Sequence, residues 1–194
     1  VSVGTATVTV ALKEKPEINK VITYNVSRNF FKHNKGYVNG NADFSKEDNG
    51  EVTINGEQTQ ILVDKAGQNW YFKTTITYKD AATDPGSFGI GSFMIDIAHP
   101  IGDTMFWYMV WPTTGQICTG GWRYALGLNY DYKIIEGAKV DTTKPFDLTM
   151  IRYGTEHYLV TEQAGVVISK SVFDVPYFSG VDTYPGIYGQ NLYF

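Results

Sequence analysis

From Val21 onward, apolar and polar residues alternate at every second position over short runs, and each run is closed by a turn-forming residue. A period of two places successive side chains on opposite faces of an extended strand. The pattern predicts strands at Ile22 to Val26, Glu51 to Ile54, Thr59 to Val63, Trp70 to Tyr78, Phe88 to Ile97, Met105 to Trp111 and Trp122 to Tyr132. A three-strand meander then fills Phe146 to Ser171, "FDLTMIRYGTEHYLVTEQAGVVISKS", broken at Gly154-Thr155-Glu156 and at Ala164-Gly165. Further turn signals fall at Asn34 to Gly40, Asp48-Asn49-Gly50, Asn55-Gly56, Asp84-Pro85-Gly86 and Thr119-Gly120-Gly121. No amphipathic helix longer than ten residues is predicted, and no long-period repeat is present. About a dozen antiparallel strands imply an all-β, two-sheet sandwich or jelly roll.

The leading segment, Val3 to Leu12, alternates Thr with Val and Ala and is also a strand, ended by Lys13 to Pro16. Residues 1–16 could be the leading strand and linker of a preceding module, with the main domain spanning 17–194. The closing "QNLYF", Gln190 to Phe194, reads as a last strand, although it differs by one residue from the start of a protease-tag sequence.

Composition narrows the partners. The 194 residues suit a single sandwich domain, and 14 Tyr, 11 Phe and 20 Gly favour strands and tight turns. A net charge of −4 supplies no broad basic surface for phosphates or anionic lipid, so neither nucleic acid nor membrane insertion is expected. No apolar run approaches the roughly 20 residues of a membrane-spanning helix. Cys118 stands alone, which rules out an intrachain disulfide and a cysteine-based zinc site. A chain starting at Val1, without Met, is compatible with processing and export, and Asn25-Val26-Ser27 is a sequon short enough to arise by chance.

Several strings in order resemble the concanavalin A-like lectin and glucanase superfamily: "NWYFKTTITY" (Asn69 to Tyr78), "GSFGIGSFMI" (Gly86 to Ile95), the meander with its strand ending in Arg152, and the closing "YPGIYGQNLYF" (Tyr184 to Phe194). The resemblance covers residues 17–194 and implies a curved jelly roll whose concave face carries a glycan groove or a pair of catalytic carboxylates. Hydrolases need two such groups, about 5 to 9.5 Å apart. In the Glu-x-Asp-x-Glu strand of such enzymes, "MIDIA" keeps the central Asp96 but has Met94 and Ala98 at the two glutamate positions. In the Glu-x-Met-aliphatic-Trp form, "WYMVW" keeps Met109, Val110 and Trp111 but has Trp107 in place of the acid. No catalytic residue is therefore assigned. Glu156 and Glu162 flank the hairpin of the meander and are expected on an exposed edge.

The remaining candidate chemistry is binding. Sugar rings stack their C–H patches on aromatic faces and offer hydroxyls to planar polar partners. The densest mixture of those types gives the candidate ligand-binding set Trp107, Trp111, Trp122, Arg123, Tyr124, Asn129 and Asp131, with Asp96 added from the resemblance. On the strand starting at Trp122, alternation puts Trp122 and Tyr124 on one face and Arg123, Asn129 and Asp131 on the other. The competing reading of "MFWYMVW" is two buried strand faces. His33, His99 and His157 form no close metal pair. "DFSKEDNGE", Asp43 to Glu51, has alternating oxygens that could meet calcium but lacks the spacing of a calcium loop, so a solvated turn and no cofactor are expected. The sequence thus points to a non-catalytic glycan-binding module, part of a larger extracellular or cell-surface bacterial protein. The alternatives are a glycoside hydrolase with unplaced acids and a protein-contact or sensory ectodomain.

Overall fold

A computed structural model describes residues 4–12, 15–26, 35–39, 42–46, 51–54, 58–63, 67–79, 86–96, 99–123 and 133–191. The strands are β1 (Gly4–Leu12), β2 (Lys15–Val26), β3 (Lys35–Asn39), β4 (Ala42–Asp43), β5 (Thr53–Ile54), β6 (Gln58–Val63), β7 (Asn69–Ile76), β8 (Gly86–Asp96), β9 (His99–Val110), β10 (Gln116–Arg123), β11 (Lys133–Lys139), β12 (Phe146–Tyr153), β13 (Glu156–Gln163), β14 (Val166–Asp174) and β15 (Tyr184–Asn191). Among the described residues, helical backbone is limited to one 3-10 turn at Pro176–Phe178.

Every strand pairing among the described residues is antiparallel. A seven-stranded sheet runs β11-β10-β9-β8-β15-β6-β3, a four-stranded sheet runs β14-β13-β12-β7, and β1-β2 and β4-β5 form separate two-stranded ribbons. The two large sheets face each other across a core that draws Phe72, Phe146, Leu148, Met150 and Leu159 from one and Ile90, Phe106, Tyr108, Val110 and Ile117 from the other. The expected antiparallel β-sandwich is the observed fold.

The meander follows the sequence pattern closely. Tyr153 pairs with Glu156, leaving the two-residue loop Gly154-Thr155, and Gly154 takes φ 61°, as a type II′ hairpin demands. Gln163 pairs with Val166, leaving Ala164-Gly165 at φ 50° and 76°, the mirror-image turn that matches strand twist.

Three expectations change. Thr119-Gly120-Gly121 is not a turn but the interior of β10, because a Cβ at Gly120 would overlap the Trp107 ring and one at Gly121 would overlap the Tyr177 hydroxyl. Of the strand expected over Trp122 to Tyr132, Trp122 and Arg123 belong to β10, and 124–132 lie outside the described residues. Within the stretch expected as a turn from Asn34, Lys35–Asn39 is a strand paired to β6. Finally, β13 lies between β12 and β14, so Glu156 and Glu162 are on an inner strand and not on an edge. At the start of the chain, β1 finds its partner in β2, and the boundary drawn at residue 17 falls inside that second strand.

Candidate functional site

Strand β9 is apolar on both faces, and the sandwich uses them differently. Phe106, Tyr108 and Val110 enter the inter-sheet core. Met105, Trp107 and Met109 point the other way and join Leu62, Phe93, Cys118 and Tyr188 in a second apolar layer drawn only from β6, β8, β9, β10 and β15, with Trp111 and Tyr184 packed against it. This layer therefore lies on the outer face of the seven-stranded sheet. Strict alternation from Met105 to Val110 produces both layers.

The outer layer has a glycine floor. Trp107 is registered between Gly120 on β10 and Gly91 on β8, and Gly91 is registered to Gly186 on β15. The Trp107 indole occupies the space where a Gly120 Cβ would stand, and the Phe93 ring does the same over Gly91. Large flat rings can thus lie close to the backbone, the use of strand glycine that sequence alone reads as a turn or bulge. Trp111 is half-buried at the margin of this layer, and its indole N–H donates to the Cys118 sulfur at 2.9 Å. The Cys118 thiol is buried and donates to the Met109 carbonyl at 3.7 Å.

Of the residues expected to meet a ligand, Trp107 and Trp111 share this face, and Trp122 stands opposite Met105 in register, as Arg123 does opposite Thr104. Trp107 is only 1% exposed, so its indole packs inside the layer and is not available as an open stacking surface. The reason is physical: the glycine floor lowers the ring onto the sheet, where the surrounding apolar side chains cover it. Asp96 ends β8 in register with His99. Tyr124, Asn129 and Asp131 lie outside the described residues. Met94, at a position the resemblance gives to a catalytic glutamate, packs against the inter-sheet core, and Ala98, at the other, lies outside the described residues. Among the described residues no cluster of His, Cys, Asp or Glu could hold a metal. The Asp43 carboxylate is occupied locally, accepting from the Ser45 amide at 2.8 Å, an interaction that lowers its pKa.

A second polar cluster went unpredicted. Arg152 is 1% exposed at the end of β12, with no carboxylate bonded to it. All five of its N–H groups are used: Nε donates to Gly154 O at 2.8 Å, Nη1 to Gly67 O at 3.1 Å and Thr183 Oγ1 at 2.6 Å, and Nη2 to Phe178 O at 2.9 Å and Val181 O at 2.7 Å. The Thr183 hydroxyl also meets Ser92 at 2.7 Å and accepts from the Trp70 indole at 3.2 Å. Burial lowers the guanidinium pKa, and Asp182 opposes that shift. His157 lies beside this cluster, with its ring against Phe106, Trp70 and Phe178 and Nδ1 facing Thr155 O at 3.1 Å. Burial first, with Arg152 contributing, depresses its pKa to about 4, so the ring is neutral near pH 7. This cluster joins strands and loops. The sequence signal was only an arginine at an inward position of an apolar strand.

No protein-family model and no curated protein sequence matches the chain. Solved structures do. A carbohydrate-binding module, CBM66 from Bacillus subtilis, is 15% identical and superposes with a TM-score of 0.56 over 80% of this chain and 91% of its own. Sheep galectin-11, solved with glycerol, is 12% identical at a TM-score of 0.28 over 64% of this chain and 92% of its own. With two antiparallel sheets around one core and the first of these backbones shared over most of its length, the chain has the β-sandwich fold of that module.

Proposed function

We propose that this protein is a non-catalytic carbohydrate-recognition module with a concanavalin A-like sandwich, part of a larger extracellular or cell-surface bacterial protein. One observation carries the reading: the chain shares its fold with a carbohydrate-binding module, and the larger sheet of that fold bears an aromatic layer on its outer face. In this reading Trp107 is the floor of the site, Trp111 and Trp122 present rings to the sugar, and Arg123, Tyr124, Asn129, Asp131 and Asp96 supply hydrogen-bonding groups. The ligand is a neutral glycan, as the net charge of −4 favours, and binding needs neither nucleic acid nor a membrane.

A glycan array with and without calcium tests the proposal, followed by titration of each hit against Trp111→Ala and Trp122→Ala. Saturable, calcium-independent binding that weakens tenfold or more in a variant with an unchanged unfolding temperature is the expected result, as for a Trp that anchors an interface. Silence across the array overturns the reading. Release of reducing sugar from any hit would replace it with a glycoside hydrolase.

A further inference from the structure

The outer face of the four-stranded sheet lies on the opposite side of the sandwich from the tryptophan layer, and its residues form cross-strand rows. One row is Asn69, Tyr153, Glu156 and Asp174, and the next is Tyr71, Ile151, Tyr158 and Val172. Three large rings stand out from these rows: Tyr71 is 48% exposed, Tyr153 58% and Tyr158 37%. Tyr71 and Tyr158 flank Ile151 two strand spacings apart, roughly 10 Å, and Tyr153 sits on the strand between them, about 7 Å further along. A paired sheet holds this triangle in place, so a ligand would order little on binding.

The rings are set among ionised groups. Glu156 accepts from the Tyr158 hydroxyl at 2.8 Å, and Asp174 is registered beside it. Further along, the Lys73 ammonium is held between Asp147 and Glu162, 2.9 Å from each, and those bonds raise its pKa. With Lys170, the face has two ammonium groups against four carboxylates. Net negative charge disfavours phosphate, sulfate or uronate ligands. Asp147 and Glu162 share Lys73, but the apolar patch of a protein partner would still have to strip water from Glu156 and Asp174 beside the rings without offering them a cation. A sugar chain suits the pattern, because its C–H faces stack on tyrosine, its hydroxyls donate to carboxylates, and an amino group adds attraction to both carboxylates and rings.

We propose that the Tyr71, Tyr153 and Tyr158 platform is a second carbohydrate-binding face, taking a neutral or amino-bearing glycan laid across β7, β12 and β13. It is independent of the seven-stranded face. The test titrates ¹⁵N-labelled protein with laminarin, mannan and chitosan oligosaccharide while following amide shifts, alongside a Tyr71→Ser/Tyr153→Ser double variant, Glu156→Gln and Trp111→Ala. Saturable shifts at residues 69–73 and 151–158 that need tenfold more sugar in the double variant, and are unchanged in Trp111→Ala, support the face. For chitosan oligosaccharide, a further weakening in Glu156→Gln is expected. Shifts confined to β9 and β10, or no shift with any of the three sugars, overturn it. Self-association that the double variant abolishes also overturns it, making the face a protein contact.

Discussion

Gly120 shows how one residue sets the geometry of the tryptophan layer. Its missing Cβ is the space into which Trp107 lies, and the obstruction to any larger residue is a packed indole, not the end of a flexible chain. Gly120→Ala should therefore destabilise the fold by about 1–3 kcal/mol, the usual cost of overpacking, and lower the unfolding temperature by roughly 2–12 °C in a chain of this size. Trp107 would be forced outward, so calorimetry and a red shift of tryptophan emission should change together. An unchanged unfolding temperature would mean that the indole has room to move.

At the scale of elements, Arg152 ties a strand end to the loops around it. It donates to the carbonyls of Gly67, Gly154, Phe178 and Val181, of which Gly67 O also accepts from the Thr183 amide and Phe178 O from the Val181 amide, and so it ties the 3-10 turn to the strand end. Arg152→Met keeps much of the apolar stem but removes the guanidinium donor from Gly154 O and Val181 O and one of two donors from Gly67 O and Phe178 O, a loss of about 3 kcal/mol or more. Arg152→Lys should recover only part, since an ammonium has three donors where the guanidinium has five. Hydrogen exchange checks this directly: the Val181 and Thr183 amides, now bonded to Phe178 O and Gly67 O, should exchange faster in Arg152→Met, while amides in the middle of β9 remain protected.

For the whole molecule, buried His157 makes stability depend on pH. Its folded pKa of about 4 lies below the roughly 6.5 of an unfolded histidine, so between those values the unfolded chain binds the extra proton. Stability should be fully present above pH 6.5 and fall by roughly 3 kcal/mol as pH drops to 4, with no further loss from this group below that. Asp141, held at about 2 by Thr143 and Lys144, acts in a lower window, losing its contribution as pH falls from about 4 towards 2. Urea midpoints measured from pH 7.5 to 4.5 should fall in the native protein and stay nearly level in His157→Phe. Parallel slopes in the two proteins would remove His157 as the cause.

Local alternation was enough to recognise an all-β chain and to place both hairpins of the meander, because a two-residue loop with positive φ and a period of two are properties of neighbouring residues. It also marked β9 as apolar on both faces. It could not tell that Thr119-Gly120-Gly121 continues a strand, since those glycines answer to a ring on β9 and a hydroxyl from the 3-10 turn far along the chain. Nor could it tell that Trp107 would be covered, that Met94 would face the core, or that Arg152 would be buried with four of its five backbone and hydroxyl bonds going to distant segments. Composition and spacing determined which residues could stack, donate or turn. Only the pairing of strands far apart in sequence decided which of them share a face, because register and sheet order depend on long-range contacts that no local pattern encodes.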